Sequence, residues 1–226
     1  MNSKNSIIKT AKQTIELESQ SILNLSTLIN DDFADAVTLI YNSKGRVIIT
    51  GIGKSAIIAN KIVATLNSTG TPSIFMHAAE AIHGDLGLIL KDDVVICISN
   101  SGNTPEIKVL IPLIKRANNK IIAITGNSQS FLGEEAHFVL NSYVEKEACP
   151  NNLAPTTSTT AQLVIGDALA VCLLELRGFS SNDFAKYHPG GALGKKLYLR
   201  VKDISSVNEK PKVNTDTTIK DVIIEI

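Results

Sequence analysis

The segment Ser99–Glu106 has the composition of a phosphate-binding loop. It supplies three hydroxyl side chains, a glycine, and a proline of the kind that opens a helix. Hydroxyl groups and the N–H groups at a helix start bind a phosphate dianion without needing a cation. A helix cap needs only one hydroxyl, so a run of three favours a ligand site over a cap alone. Glu106 falls in the first helical turn, where the helix dipole favours a carboxylate even without a function.

Two other loops share this chemistry. Gly51–Ala56 follows an apolar run, and its glycines allow a tight turn that aims helix-start N–H groups at an anion. Its spacing is neither that of a Walker A loop nor that of a GxGxxG loop, and a strand–helix turn without a ligand explains it equally well. Pro155–Thr160 opens a long apolar helix and again places several hydroxyl groups at a helix start.

Ionisable side chains that could move protons lie in further loops. Glu147 lies next to apolar residues, and partial burial would raise its pKa towards that of a general base; a solvated loop charge is the alternative. His77, His83 and His188 also lie in loops, where a histidine could transfer protons or bind a metal ion, whereas His137 begins an apolar run and is expected to be structural. The sequence lacks HExxH or paired-cysteine spacing, so we expect no catalytic metal.

The elements that position these loops follow from the apolar pattern. Helical periodicity across residues 7–42 predicts one or two leading helices. Short β-branched runs then alternate with helix-length segments, and their continuous apolar character predicts a parallel sheet covered on both faces in an α/β fold. Such sheets bind ligands at the carboxyl ends of their strands. The runs are Arg46–Thr50, Ser73–Met76, Val94–Ser99, Lys120–Thr125 and His137–Asn141.

The bulk composition narrows the function classes. The sequence has 22 Lys and Arg against 22 Asp and Glu, so the protein has no net positive charge to attract nucleic acid or anionic lipid. We therefore expect neither nucleic-acid binding nor membrane binding. Three cysteines without CxxC spacing favour a reduced compartment, and the N-terminus lacks the apolar core of a secretory signal. We therefore expect a cytoplasmic protein. The apolar stretch Leu163–Leu176, interrupted by two acidic residues and shorter than the ~20 residues a bilayer requires, is expected to be a core helix.

Five segments, in order, resemble arabinose 5-phosphate isomerases of the SIS (sugar isomerase) class: GIGKS, GTPSIFMHAAEAIHGDLG, ISNSGNTPEI, KEACPNNLAPTTSTTA and HPGGALGKKL. The resemblance covers roughly Arg46 to Val201, and HGDLG, EACPNNLAPTTSTT and HPGGALG are more specific than SNSG alone. It implies a flavodoxin-like, three-layer α-β-α sandwich around a five-stranded parallel sheet. It also implies a homotetramer with active sites at subunit interfaces.

The resemblance also assigns roles position by position. It implies catalytic groups at Lys54, Glu106, Glu147 and His188. It implies no required cofactor, and it makes His77 a place where an inhibitory zinc ion can bind. The segment Asn103-Thr104-Pro105 departs from the Glu-Ser-Ser-like sequences common in the family, which would alter the rigidity of the loop. The implied substrate contacts are Ser55, Gly70, Thr71, His77, His83, Ser99, Asn100, Ser101 and Thr104.

The implied activity is interconversion of D-arabinose 5-phosphate and D-ribulose 5-phosphate through a cis-enediol, supplying Kdo and lipopolysaccharide synthesis. Two alternatives stay open. A non-catalytic sugar-phosphate sensor would keep the phosphate loop and lose the carboxylates and histidines, which this sequence retains. The second alternative is an isomerase for another sugar phosphate, such as a hexulose phosphate. Only the specific family motifs argue against it.

The expected domain organisation has three parts. Residues 1–45 form helices that pack on the SIS domain, and residues 46–200 form that domain. Residues 201–226 are expected to be a linker and the incomplete start of a CBS domain, which they resemble in having a proline, Pro211, and a Thr-Thr helix start before an apolar helix. A CBS pair follows the SIS domain in longer family members.

Overall fold

The computed structural model describes residues 3–198, 200 and 212–225. The chain divides into two compact units, Met1–Phe179 and Ser180–Ile226. The division falls inside the range 46–200 that was expected to form one domain. Of the expected linker and CBS start at 201–226, residues 201–211 lie outside the described residues, whereas 212–225 are described and include a helix over Ile219–Glu225.

Five parallel strands form the sheet of the first unit, in the order β2-β1-β3-β4-β5. Each agrees within one residue at either end with a predicted run, so the parallel α/β fold is confirmed. In register, Gly51 at the end of β1 lies between His77 of β2 and Ile98 of β3, which brings three strand ends to one edge. The strands are β1 (Val47–Gly51), β2 (Ser73–His77), β3 (Val94–Ile98), β4 (Lys120–Thr125) and β5 (Phe138–Asn141).

Ten α-helices and two short 3₁₀ helices, Ser26–Leu28 and Asp85–Leu88, occur in the described residues. One side of the first unit's core joins α2, α3 and α7 to alternate strand residues such as Ile49 and Ile96. The other joins α4, α5 and α6 to the intervening residues such as Ile48 and Val95. This alternation confirms the three-layer arrangement. The helices are α1 (Lys4–Leu25), α2 (Asp31–Asn42), α3 (Lys54–Ser68), α4 (Ala78–Ala81), α5 (Pro105–Arg116), α6 (Phe131–Glu135), α7 (Thr157–Leu176), α8 (Ser181–Tyr187), α9 (Ala192–Tyr198) and α10 (Ile219–Glu225).

The leading helices α1 and α2 confirm the periodicity of residues 7–42. Helix α1 packs against α7. The apolar face expected along α1 is buried only in part, because Leu25 is inaccessible whereas Ile8, Ile15 and Leu23 are exposed.

Helix α7 is the longest apolar helix in the described part of the chain, and by length and composition alone it could cross a membrane. It instead packs against α1, α2 and α3 and buries Ile165, Leu169 and Leu173, as a core helix does. It begins at Thr157, within the Pro155–Thr160 segment that was predicted to open it. Gly166 permits a close approach to α3, since a Cβ there would lie 2.3 Å from Cδ1 of Ile62.

Candidate active site

Residues at the starts of three helices line one cleft beyond the carboxyl ends of β1 and β3: the first turns of α3 and α7, and Thr104, the residue that precedes α5. The cleft encloses about 500 Å³. Ser55, Thr104 and Ser158 each bring a hydroxyl from one of these helix starts. The starts of α3 and α5 have no side-chain cap, so their N–H groups and the positive ends of their helix dipoles suit the cleft to an anion.

The loop after β3 is held in a bent conformation by its own hydroxyl groups. The hydroxyls of Ser99 and Thr104 are 3.0 Å apart, and the N–H of Gly102 donates to Ser99 Oγ at 3.1 Å. Gly102 has φ of 65°, and a Cβ there would lie 1.8 Å from Ser130 Oγ. Only glycine fits such a position without strain.

Asn103, where the sequence departs from the family pattern, ties this loop to α6. Its Nδ2 donates to the Ser101 carbonyl at 3.2 Å, and its Oδ1 accepts the N–H of Phe131 at 3.3 Å. The departure therefore adds side-chain restraints to the loop. Asn100 and Ser101 also line the cleft, as predicted for substrate contacts.

Gln162 is a cleft residue that the sequence analysis did not identify. It is fully buried in α7, and its Oε1 accepts a hydrogen bond from Ser55 Oγ at 3.1 Å. The available signal was its spacing: Gln162 stands one helical turn after Ser158, in a helix whose start was already a candidate binding loop.

Glu147 also lines the cleft, beside the start of α7. One carboxylate oxygen, Oε2, accepts the N–H of Thr156 at 2.8 Å, the hydroxyl of Thr156 at 3.1 Å and the N–H of Ser158 at 3.2 Å. Burial raises the pKa of Glu147, but these bonds and one from the Ser158 hydroxyl outweigh it and hold the pKa below its ordinary value. The predicted rise was therefore wrong, because the carboxylate faces donors rather than apolar surroundings.

Lys54 and Glu106 differ in their relation to the cleft. Lys54 is the first residue of α3, lines the cleft and forms no ion pair with the described residues. Glu106 lies half-buried in the first turn of α5 and does not line the cleft.

Gly70 and Thr71 lie before the amino end of β2, at the sheet edge opposite the cleft. Thr71 is buried, and its hydroxyl oxygen accepts from Arg177 Nε at 3.2 Å. Gly70 has φ of 88°, and a Cβ there would press on Phe179. Within one chain these two predicted substrate contacts are not brought to the cleft.

The histidines have varied roles. His77 ends β2, and its Nδ1 accepts the N–H of Ala79 at 3.3 Å. His83 is exposed after α4; neither residue lines the cleft. His137 accepts the N–H of Ile121 through Nδ1 at 3.1 Å, as expected of a structural histidine.

The inhibitory zinc ion that the resemblance implies at His77 needs several ligands. Across the described residues, no group of three or more His, Cys, Asp or Glu side chains could hold a metal ion. The residues of a single chain around His77 therefore do not fit a zinc site.

His188 belongs to the second unit, where it follows α8. Its ring stacks on Phe184, with ring centroids 3.9 Å apart and planes 14° from parallel. Its Nδ1 lies 2.9 Å from the Phe184 carbonyl oxygen. A carbonyl can only accept, so Nδ1 is the donor in this contact and Nε2 is left without a bond to the Phe184 carbonyl.

Comparison with known proteins identifies close relatives. The SIS domain family matches residues 39–172. The chain is 52% identical over 220 residues to arabinose 5-phosphate isomerase KdsD of Pseudomonas aeruginosa, covering 97% of this chain and 68% of that protein. Against arabinose 5-phosphate isomerase KpsF of Escherichia coli O6:H1 the identity is 48% over 221 residues, covering 97% and 67%. The chain thus spans about two thirds of these relatives.

A solved structure shares the fold. The structure of an Escherichia coli CFT073 protein in complex with arabinose 5-phosphate superposes with a TM-score of 0.80 at 41% identity. The match covers 83% of this chain and 100% of that one.

Proposed function

This chain belongs to the arabinose 5-phosphate isomerase family of SIS-domain proteins, and we propose that it interconverts D-arabinose 5-phosphate and D-ribulose 5-phosphate. The observation that carries the proposal is the composition of the cleft. The uncapped starts of α3 and α5 provide an anion-binding surface, and two ionisable side chains, Lys54 and Glu147, line the same cleft of about 500 Å³. A phosphate and a group that moves a proton are thus accommodated side by side.

The phosphate lies against the starts of α3 and α5, where backbone N–H groups and the hydroxyls of Ser55 and Thr104 surround it. This end of the substrate does not react. Its binding energy instead positions C1 and C2 for proton transfer, which is how a remote group accelerates a reaction.

Glu147 transfers the proton between C2 of the aldose and C1 of the ketose through a cis-enediol. Its Oε2 is occupied by α7 and its Oε1 accepts none of those bonds, so Oε1 is the oxygen that meets the carbon-bound proton. The lowered pKa keeps the carboxylate ionised at neutral pH. Glu106 is the competing candidate, but it does not line this cleft.

Lys54 and His188 act on oxygen atoms of the substrate. Lys54 stabilises negative charge that develops on the enediolate or the charge of the phosphate. His188 opens the sugar ring or delivers a proton to an oxygen, and the contact of its Nδ1 with the Phe184 carbonyl leaves Nε2 available for that exchange.

The active assembly is a homotetramer in which a neighbouring copy completes each site. This accounts for Gly70, Thr71, His77 and His83, which do not line the cleft of their own chain. The enzyme acts in the cytoplasm, and its product supplies Kdo and lipopolysaccharide synthesis.

The proposal is tested by assaying the purified chain with arabinose 5-phosphate, ribulose 5-phosphate and hexose phosphates, with and without a chelator. We expect interconversion of the pentose phosphates alone. Glu147→Gln should lower kcat by about 10² to 10⁴-fold. The amide oxygen can still accept from Thr156, so the fold should persist.

Glu134→Gln is the matched control, because Glu134 is exposed on α6. Absence of pentose phosphate interconversion under both conditions would overturn the proposal. Near-normal turnover of Glu147→Gln would instead reassign the proton transfer.

A further inference from the structure

The side-chain amide of Gln162 is incompletely bonded. Its Oε1 accepts from Ser55, but its Nε2 is buried and has no hydrogen-bond partner among the described residues. A buried NH₂ group without an acceptor is costly, and native structures rarely retain one without a reason. Both residues line the cleft, so the unsatisfied group lies at the candidate site itself.

The helices hold Gln162 and Ser55 together. Gly166, one turn after Gln162, lets α7 approach α3 so closely that a Cβ would strike Ile62. Asp167 of α7 also accepts from Lys61 of α3, with its Oδ2 2.7 Å from Nζ. The packing of α7 against α3, just after Gln162, therefore fixes the distance between Gln162 and Ser55.

The direction of the Ser55–Gln162 bond matters for an anion. In the structure the single hydroxyl hydrogen of Ser55 points to Gln162, so it is not available to a ligand. A phosphate dianion has only acceptors to offer. Ser55 can donate to it only if Gln162 no longer takes that hydrogen.

Rotation of the amide by 180° resolves the conflict. Amide oxygen and nitrogen are nearly equal in size, so the rotated side chain occupies the same space. Nε2 then donates to Ser55 Oγ, and the Ser55 hydrogen is free to point into the cleft. The rotation also gives the orphaned NH₂ group a partner and leaves an unpaired carbonyl oxygen, which proteins tolerate better.

We propose that Gln162 is a positioning residue for phosphate, whose amide turns on binding so that it donates to Ser55 and Ser55 donates to the phosphate. The inference rests on the proposed function for the identity of the ligand. The inference extends the proposed function by assigning a role to Gln162, which acts through Ser55.

The test uses the full chain with Gln162→Leu, Gln162→Glu, Ser55→Ala and the Gln162→Leu/Ser55→Ala double variant. Leucine fills the space without hydrogen bonds, and glutamate can only accept, so it would retain the Ser55 hydrogen and repel phosphate. Binding of D-arabinitol 5-phosphate, which has the phosphate but no carbonyl, is measured by calorimetry. Gln129→Leu, at an exposed glutamine, is the control.

We expect Gln162→Leu to weaken binding and raise KM about tenfold, with kcat changed less than about threefold. Gln162→Glu should be weaker still, and the leucine variant should have almost no further effect in the Ser55→Ala background. A thermal melt confirms that each variant is folded.

Wild-type affinity in Gln162→Leu, or an equal loss with and without Ser55, overturns the inference. If the chain binds the sugar alcohol phosphate but does not interconvert the pentose phosphates, the proposed function fails while the Gln162 inference is still decided by the binding constants. If the wild-type chain interconverts the pentose phosphates but does not bind the sugar alcohol phosphate, the Gln162 inference fails while the proposed function stands.

Discussion

Glu147 accepts the backbone N–H of Ser158 at 3.2 Å, so the carboxylate acts as a cap for the first turn of α7 while it lines the cleft. One side chain thus serves both the helix start and the candidate chemistry. The bonds that hold it also set its pKa, which links the pH dependence of the reaction to the structure of α7.

Ser158→Ala should move the acid limb of kcat/KM to higher pH. The variant removes the hydroxyl donor that helps to lower the pKa of Glu147, so the carboxylate becomes protonated at a higher pH than in the wild type. Turnover at neutral pH should change little. A pH–rate profile measures the shift, with Ser128→Ala, at an exposed serine, as the control. An acid limb that stays in place would show that Glu147 does not govern it.

Phe184→Leu should lower kcat about tenfold and leave KM nearly unchanged. Leucine removes the ring on which His188 stacks, while the backbone carbonyl that binds Nδ1 is retained. The imidazole then samples orientations in which Nε2 is misdirected. Phe184→Tyr preserves the stacking and should restore kcat. Steady-state kinetics distinguish these outcomes, and a wild-type kcat in Phe184→Leu would contradict the assigned role.

Gly102→Ala should disrupt the loop after β3. The new Cβ would meet the Ser130 hydroxyl, which is held in place by the Asn127 carbonyl and the N–H of Gly133, and the positive φ adds strain. We expect the free energy of unfolding to fall by about 1–3 kcal/mol and kcat/KM by at least about tenfold. Denaturant titration and kinetics test this.

Gly87→Ala is the matched control for that substitution, because a Cβ at Gly87 meets no atom within 4 Å. If both alanine variants behaved like the wild type, the loop would be more adaptable than its contacts indicate.

Asp93→Asn should lower stability by about 2–4 kcal/mol at neutral pH without affecting catalysis. The buried carboxylate accepts from the N–H and Nη2 of Arg46, both at 2.7 Å, and from the N–H of Leu90 at 2.8 Å. Asp93 precedes β3 at the edge opposite the cleft. Denaturation curves should show the loss, with the exposed Asp92→Asn as a control.

The same carboxylate predicts how stability responds to acid. Burial raises the pKa of Asp93, but its bonds to Arg46 and Leu90 outweigh that effect and lower it in the folded protein. Its contribution is therefore complete above the pKa of the unfolded state and is lost as pH falls through the folded pKa. The difference between wild type and Asp93→Asn should accordingly shrink in acid, and a constant difference would contradict this account.

The sequence predicted the sheet and the cleft for one physical reason. Apolar runs mark the strands, and parallel strands bring their carboxyl-end loops to one edge, so the convergence of Ser55, Ser99 and Thr104 could be anticipated. The pKa of Glu147 could not, because it depends on donors that only the folded chain brings near. Gln162 was missed because a single polar residue in an apolar helix looks the same whether it faces a cleft or solvent.

The starts of α3 and α5, which have no side-chain cap, have a consequence for evolution. Their N–H groups belong to the backbone, so amino-acid replacement does not remove them while the fold persists. The groups that act on the sugar are side chains, and a single replacement can alter each one. Proteins built on this scaffold can therefore diversify in the sugar they accept, or lose catalysis altogether, while continuing to hold a phosphate in the same place.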